Sequence, residues 1–457
     1  MHTLAFTSSA WAEVTGSLSR GNEVAGLLLA GRAEGADGIT LLVRAVRWIG
    51  QEHYGQQDAH GLSIRSAGYV PILKEAGADD EVPIFFHTHP GGRAHPSESD
   101  REVDRQVQEL FRLRSRQSRY VSVVVGGSPD APEFTGAVYS DAGLAPARID
   151  RMRVIGRHLR ILAAADSDEP SSQPDRFDRQ VRAFGMEGQK QLSRVRAGVV
   201  GAGGTGSAVC EQLLRLGVGS IVVIDNDVVT ASNLTRIHES THSDIGRPKV
   251  HVVGDEAIRI GANTNVSAIE GNVAWEHVAR ELRHCDVVFG CTDDDAGRAV
   301  LSRLAYWYLI PLIDCGFVIE SVDGNVRGLF GRVTTVMPGE ACLICRRRVD
   351  PIRMRNQLLP SAERGRLADE GYAPGLLDPD PAVVAFTTMT ASYAVTELLD
   401  RLFAYSGEDA PSELLLRLHA RDVRTNRVER VVGHYCDDVR NWGRGDTAPL
   451  LGQMWPA

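Results

Sequence analysis

Val195-Arg-Ala-Gly-Val-Val-Gly201-Ala-Gly203-Gly-Thr-Gly206 is followed by a helical run and then by Ser220-Ile-Val-Val-Ile-Asp225-Asn-Asp227. An apolar strand enters a glycine-rich turn, the turn opens a helix, and a second apolar strand ends in an acid. The acid lies about 20 residues beyond the last glycine, the spacing of a nucleotide-binding fingerprint. Gly201 permits the tight turn, Gly203 lets backbone N–H groups approach a phosphate, and Gly206 lets helix and sheet pack closely. The helix N-terminus then presents free donors to an anion, and Asp225 is placed to accept hydrogen bonds from a ribose. The fingerprint alone fits NAD, FAD or ATP, so the rest of the chain has to decide.

A chain of 457 residues is too long for one ordinary domain. No run approaches the ~18 uncharged apolar residues of a membrane span, and Met1–Thr7 lacks the basic-then-apolar pattern of a signal peptide. The net charge of −9 comes with no basic run, which argues against nucleic acid as a partner. Seven cysteines, an odd number, point to a reducing compartment and to metal or catalytic roles. A cytoplasmic protein without membrane contact is expected.

Outward from the glycine turn, strands at 196–200, 220–224, 266–269, 286–289 and 310–314 alternate with helical patterns. This is the signature of a doubly wound α/β sheet. The acidic, Ser/Pro-rich segment around 165–174 reads as a linker. The expected organisation is therefore 1–162, a linker at 163–175, a second domain at 176–446 and a tail at 447–457. Strands are expected near 24–30, 39–46, 82–89 and 120–126, with helices at 8–20 and 97–114, so the first domain reads as α+β. The charged stretch 346–371 has no clear pattern, and a helix is expected from about Pro381 to Phe403.

The first domain carries His87-Thr-His89-Pro-Gly-Gly-Arg-Ala-His-Pro-Ser97-Glu-Ser-Asp100. His87 and His89 alternate at a strand end, so they share one face. Asp100 lies in the first turn of the next helix. Two histidines and a carboxylate leave one position of a tetrahedral Zn²⁺ open, as in a catalytic site. Such a zinc lowers the pKa of bound water to ~7, and Glu23, just before an apolar strand, suits a general base. The pattern resembles the JAMM/JAB (MPN) metalloproteases, which cleave isopeptide or peptide bonds after the C-terminus of ubiquitin-like proteins. The resemblance covers the whole first domain. It implies that His87, His89 and Asp100 hold zinc, that Glu23 handles the proton and that Ser97 stabilises the oxyanion. His95 reads as solvated.

In the second domain Asp225 and Asp227 are followed by Asn233-Leu-Thr-Arg236, Lys249 and Asp293. A dehydrogenase needs one acid for the ribose and has no use for this further set. Nucleotidyl transfer on ATP needs cations on the phosphates and a carboxylate for Mg²⁺. The arrangement resembles the ThiF/MoeB-type adenylating enzymes that activate ubiquitin-like proteins, with a Rossmann-like fold. By that resemblance Gly201, Gly203 and Gly206 line the phosphates, Asp225 binds ribose, and Asn233, Arg236 and Lys249 contact phosphates. Asp293 binds Mg²⁺, and Arg179 reaches the active site of the other subunit of a homodimer.

Cys210, Cys285, Cys291 and Cys315 sit in or beside apolar runs and read as inert core. Cys342-Leu-Ile-Cys345 matches the first half of these relatives' structural zinc site. Their second half is usually Cys-x-x-Cys or Cys-x-Cys near the C-terminus, where this chain has His434-Tyr-Cys436. A Cys₃His zinc is chemically ordinary; a redox pair is the alternative. Residues 346–433 contain no cysteine, so activation is expected to stop at the acyl-adenylate, with Cys342 and Cys345 as the runner-up nucleophiles.

The two resemblances together imply a bifunctional enzyme. A zinc peptidase or isopeptidase is fused to an ATP- and Mg²⁺-dependent enzyme that adenylates the C-terminal glycine of a ubiquitin-like or sulfur-carrier protein. A conjugating enzyme is a further expected partner, and antiphage defence is one compatible setting. Sulfur-carrier activation for cofactor or cysteine biosynthesis shares the chemistry with another endpoint. A non-catalytic scaffold and an NAD-dependent oxidoreductase fit the residue sets less well.

Overall fold

A computed structural model describes residues 1–36, 38–58, 61–140, 145–166, 175–359, 361–369, 381–407 and 410–455. Most of the expected linker, 167–174, lies outside the described residues. The chain forms two compact units, Met1–Ser171 with Trp442–Thr447, and Ser172–Asn441 with Ala448–Ala457.

The strands of the first unit are β1 (His2–Thr7), β2 (Ala25–Gly35), β3 (Gly38–Trp48), β4 (Tyr54–Gln57), β5 (Leu62–Ile64), β6 (Val82–Pro90), β7 (Tyr120–Gly127), β8 (Pro132–Tyr139), β9 (Ala147–Ile155) and β10 (Arg160–Ala163). Its helices are α1 (Ser8–Gly16), α2 (Val70–Ala78) and α3 (Glu98–Ser115). The main sheet runs β1-β3-β2-β6-β7-β8-β9-β10, and β1 also pairs with β9. That second pairing closes the sheet on itself, which local sequence pattern does not reveal. The period-2 alternation of β6 separates two cores. Ile84 and Phe86 point into one with Leu4, Phe6, Val121 and Val123. Phe85 points into the other with Leu73, Phe111 and Tyr120, against α2 and α3. His87 and His89 share the Phe85 side.

The sequence assigns Trp442–Asp446 to the second domain, but Trp442–Thr447 packs as part of the first unit. The reason is an open strand edge. β6 covers β2 only over Ala25–Ala30, which leaves the distal half of β2 free on that side. There Gly445 forms a parallel bridge to Arg32. The Asp446 amide donates to the Arg32 carbonyl at 2.7 Å, and the Glu34 amide donates to Asp446 Oδ2 at 2.6 Å. Arg44 Nε donates to the Trp442 carbonyl at 3.0 Å. A side chain at Gly31 would run into the Gly443 carbonyl, so the approach depends on glycine.

The second unit contains β11 (Arg196–Val200), β12 (Ser220–Asp225), β13 (Asn265–Glu270), β14 (Val287–Gly290), β15 (Leu312–Val322), β16 (Asn325–Val336), β17 (Glu413–Arg417) and β18 (Asp422–Asn426). Its helices are α4 (Asp178–Arg194), α5 (Gly204–Leu216), α6 (Lys249–Arg259), α7 (Glu276–Ala279), α8 (Asp295–Trp307), α9 (Pro351–Gln357), α10 (Ser361–Asp369) and α11 (Val384–Phe403). The sheet order is β13-β12-β11-β14-β15-β16-β17-β18. β11 to β15 pair in parallel, and β15 to β18 add antiparallel strands. The connections leave in opposite directions between β11 and β14, which opens a crevice at their C-terminal ends. The expected strand at 310–314 proves to be the start of a long hairpin. Its turn is Asp323-Gly324, both at positive φ, the Asp-Gly signal of a two-residue hairpin loop. No described helix is long and apolar enough to cross a membrane.

Candidate functional sites

In the first unit, β6 and the N-terminus of α3 bring His87, His89 and Asp100 together. The His87 and His89 Nε2 atoms lie 3.2 Å apart. Asp100 Oδ1 is 3.5 Å from His87 Nε2, and Oδ2 is 3.8 Å from His89 Nε2. Bond lengths of about 2.0–2.2 Å to a tetrahedral zinc require donor separations of roughly 3.3–3.6 Å, so the trio fits that ion. His89 Nδ1 lies 3.1 Å from the Arg93 carbonyl. A carbonyl only accepts, so Nδ1 carries the proton and the Nε2 lone pair faces the site.

Asp100 is oriented by a capping box. Its amide donates to Ser97 Oγ at 3.1 Å, and its Oδ2 accepts the Ser97 amide at 2.7 Å. Burial opposes its charge, but hydrogen bonding and attraction to His87, with the Ser97 contacts, hold the carboxyl well below its ordinary range. Ser97 Oγ, expected at the oxyanion, is thus already an N-cap acceptor.

Glu23 is buried two residues before β2, with Oε1 3.7 Å from His89 Nε2. Its amide donates to Asp58 O and its carbonyl accepts from Gln57 Nε2, both at 3.0 Å. Burial pushes its carboxyl above the ordinary value, against the pull of His89 and His87. The four residues border a cavity of about 560 Å³ walled by Leu62, Ile64, Tyr69, Phe85, Val107 and Phe111. His95 is exposed. Sequence reading missed Asp104 beneath the cavity, although its place four residues after Asp100 puts both on one helix face.

In the second unit the glycine turn opens onto a cavity of about 1250 Å³. Gly201 has φ +93°, and a Cβ at Gly206 would strike the Gly201 carbonyl. Nothing lies within 4 Å of a Cβ at Gly203, which leaves room for a ligand. Asp225 accepts the amides of Ala202 at 2.6 Å and Asp227 at 2.8 Å. Burial pushes Asp225 up, opposed by Lys249 and those amides. Lys249 Nζ sits 2.7 Å from Asp227 Oδ2, so a phosphate would have to draw it away. Asn233 Oδ1 accepts the Thr230 amide at 3.2 Å, and Arg236 donates to the Ser232 carbonyl at 3.0 Å.

Asn233, Arg236, Lys249 and Asp293 all line this cavity. Arg179 does not: it stands exposed on α4. The cavity also takes in Arg298, Arg332, Arg348 and Arg353, none of which the sequence placed at this site. Arg332 Nη2 is 2.6 Å from the fully buried Asp314. Cys291 and Cys315, expected as core, border the cavity, and Cys291 is only half-buried. A hydrogen bond to Cys315, with burial, pushes the Cys291 thiol up, which suppresses its nucleophilicity.

A third cluster joins Cys342 and Cys345, after β16, to His434 and Cys436. His434 Nδ1 is 3.4 Å from each of the three sulfurs, and Cys345 Sγ is 3.6 Å from Cys436 Sγ. A tetrahedral zinc with Zn–S near 2.3 Å and Zn–N near 2.0–2.1 Å sets S···N and S···S at about 3.6 and 3.8 Å. A hydrogen bond from Cys436 draws Cys342 down to about 5, against burial. The donor set and spacing fit a closed structural site.

A model of the ThiF family matches residues 177–434, and one of prokaryotic homologs of the JAB domain matches residues 10–136. The chain is 29% identical over 239 residues to SAMP-activating enzyme E1 of Haloferax volcanii, covering 52% of this chain and 80% of that protein. It is 32% identical over 174 residues to molybdopterin-synthase adenylyltransferase of Escherichia coli, covering 37% of this chain and 66% of that protein. A crystal structure of E. coli MccB with ATP aligns at a TM-score of 0.45 and 17% identity, covering 58% of this chain and 75% of that one.

Proposed function

We propose, for a chain that belongs to the ThiF family and joins a JAB-type domain to a ThiF/MoeB-type adenylating domain, that it is a bifunctional enzyme. The second unit adenylates the C-terminal glycine of a ubiquitin-like or sulfur-carrier protein with ATP and Mg²⁺. The first unit is a zinc peptidase acting after that glycine. The observation that carries the reading is the convergence of Asn233, Arg236, Lys249 and Asp293 on one cavity with the glycine turn. The relatives' names, a SAMP-activating enzyme and a molybdopterin-synthase adenylyltransferase, favour this class of substrate.

In the second unit the glycine-turn amides receive phosphate oxygens, Asp225 takes the ribose, and Arg236 and Lys249 neutralise charge on the phosphates. In the first unit His87, His89 and Asp100 would hold zinc, which supplies an acidified water and carbonyl polarisation. Glu23 takes the proton of the attacking water and returns it to the leaving amine. Arg179 completes the partner's nucleotide site in a homodimer.

The test uses purified full chain with a small partner ending in glycine. Partner-dependent ATP–pyrophosphate exchange is expected, together with cleavage of a fusion placed after that glycine. NAD⁺ binding without exchange would select an oxidoreductase instead. Exchange with release of a thiocarboxylated partner in the presence of a sulfur donor would select sulfur-carrier activation.

Metal content gives a separate expected result. The full chain should hold two zinc ions, one at His87/His89/Asp100 and one at Cys342/Cys345/His434/Cys436. Cys436→Ser should hold one, and the thermal midpoint of the second unit should fall by several degrees, because structural zinc contributes folding energy. Two zinc ions retained by that variant would remove the cluster from the metal sites.

A further inference from the structure

The buried side of α3 carries a charge that the proposed peptidase chemistry does not use. Asp104 is buried, and no cation pairs with it among the described residues. Its Oδ1 accepts Tyr120 O–H at 2.6 Å, and its Oδ2 accepts Ser122 O–H at 2.9 Å and Tyr139 O–H at 3.1 Å. Tyr120 and Ser122 belong to β7 and Tyr139 ends β8. β7 lies directly beside the histidine strand, with Phe85 opposite Ser122 and His87 opposite Val124.

An apolar residue at 104 would fill the space at lower cost, because burying a carboxylate is costly unless it is hydrogen-bonded. Three O–H donors to one anion are charge-assisted bonds, and they have direction where apolar packing has little. Rotation or sliding of α3 would break all three together. Asp100 lies one turn away on the same face, and the capping box fixes its side chain only relative to α3 itself. What fixes α3 relative to β6 is therefore what sets the distance from Asp100 to His87 and His89.

We propose that Asp104 is a positioning residue for the first metal centre: by collecting the hydroxyls of Tyr120, Ser122 and Tyr139 it locks the helix turn bearing Asp100 against the strand bearing His87 and His89. This rests on the reading of that trio as a zinc site. Supporting groups of this kind typically govern metal affinity by 10–100-fold, since a ligand must be held to about 0.5 Å.

The experiment measures zinc release from the full chain against a graded chromophoric chelator. His87→Ala identifies the release step that belongs to the first unit. Asp104→Asn and Tyr120→Phe should each shift that step to chelator strengths at least ~10-fold weaker, with release from the cysteine cluster unchanged. Ser122→Ala and Tyr139→Phe remove one bond each at less buried positions and should shift it less, in the same direction, which keeps the test readable if the stronger variants fold poorly. Variants that lose thermal stability but release zinc as the wild type does would overturn the proposal. A wild type with no His87-dependent zinc would instead defeat the peptidase reading itself.

Discussion

Glu23→Gln is expected to leave zinc bound at His87, His89 and Asp100 and to slow cleavage of a glycine-terminated fusion by about 10²–10⁴-fold, the usual contribution of a positioned proton carrier. The backbone of Glu23 is fixed through its amide and its carbonyl, and its buried carboxylate stands with Oε1 3.7 Å from His89 Nε2. Burial raises its pKa, which moves a carboxylate toward the range where it can both take and return a proton near neutral pH. Glutamine keeps the shape and the backbone hydrogen bonds, but its amide cannot take up and return a proton near neutral pH. The measurement is cleavage rate beside zinc content on the same preparation. Undiminished cleavage would sink the assignment, and joint loss of zinc and cleavage would make Glu23 a ligand.

The second large effect is expected from Asp293→Ala, which should reduce ATP–pyrophosphate exchange by about 10³-fold or more. Losing a metal-binding carboxylate forfeits several kcal/mol of charge stabilisation, at 1.36 kcal/mol per factor of ten. Three consecutive aspartates could supply that carboxylate, and the structure separates them. Asp294 caps α8 through the Gly297 amide at 2.5 Å and accepts the Thr292 hydroxyl at 2.7 Å. Asp295 accepts the Asp350 amide at 2.8 Å and faces Arg353 at 3.4 Å. Asp293 lines the cavity, and among the described residues its carboxylate has no partner. Asp294→Ala should therefore act mainly on stability, by about 1 kcal/mol for a lost N-cap, with a much smaller change in exchange. If the two variants reverse these effects, Asp294 holds the metal.

What the sequence disclosed follows the distance along the chain over which each site is built. His87, His89, Ser97 and Asp100 lie on one strand–loop–helix unit, so alternation and capping signals place them together without tertiary information. The same holds for Gly201 to Asp225, where strand, turn, helix and strand follow in order. Residues whose place depends on packing between elements distant in sequence were not legible. The spacing from Asp100 puts Asp104 on the same helix face, but that it meets Tyr120 and Tyr139 depends on β7 and β8 lying beside the helix, which no local pattern announces. Arg348 enters the cavity of the second unit from the segment between β16 and α9, and Arg332 through the antiparallel extension. The first turn of that extension carried a readable Asp-Gly signal, while the length of the following strands did not. Cys291 read as core because it follows an apolar strand, yet it sits at the strand's C-terminal end, where an α/β sheet opens to its ligand.

The seat of Trp442–Thr447 on β2 has a consequence for the order in which the protein comes into being. Translation delivers the strands of the first unit early, but the partner for the distal half of β2 emerges only some 280 residues after Asp166. At 5–20 residues per second that is a wait on the order of 14–56 s. Throughout it the nascent chain carries an unpaired strand edge, the kind of surface that invites foreign pairing. The first unit thus reaches its complete backbone pairing only after nearly all of the second unit's sequence has been made. A ribosome that stalls inside the second unit releases a first unit that has never been finished.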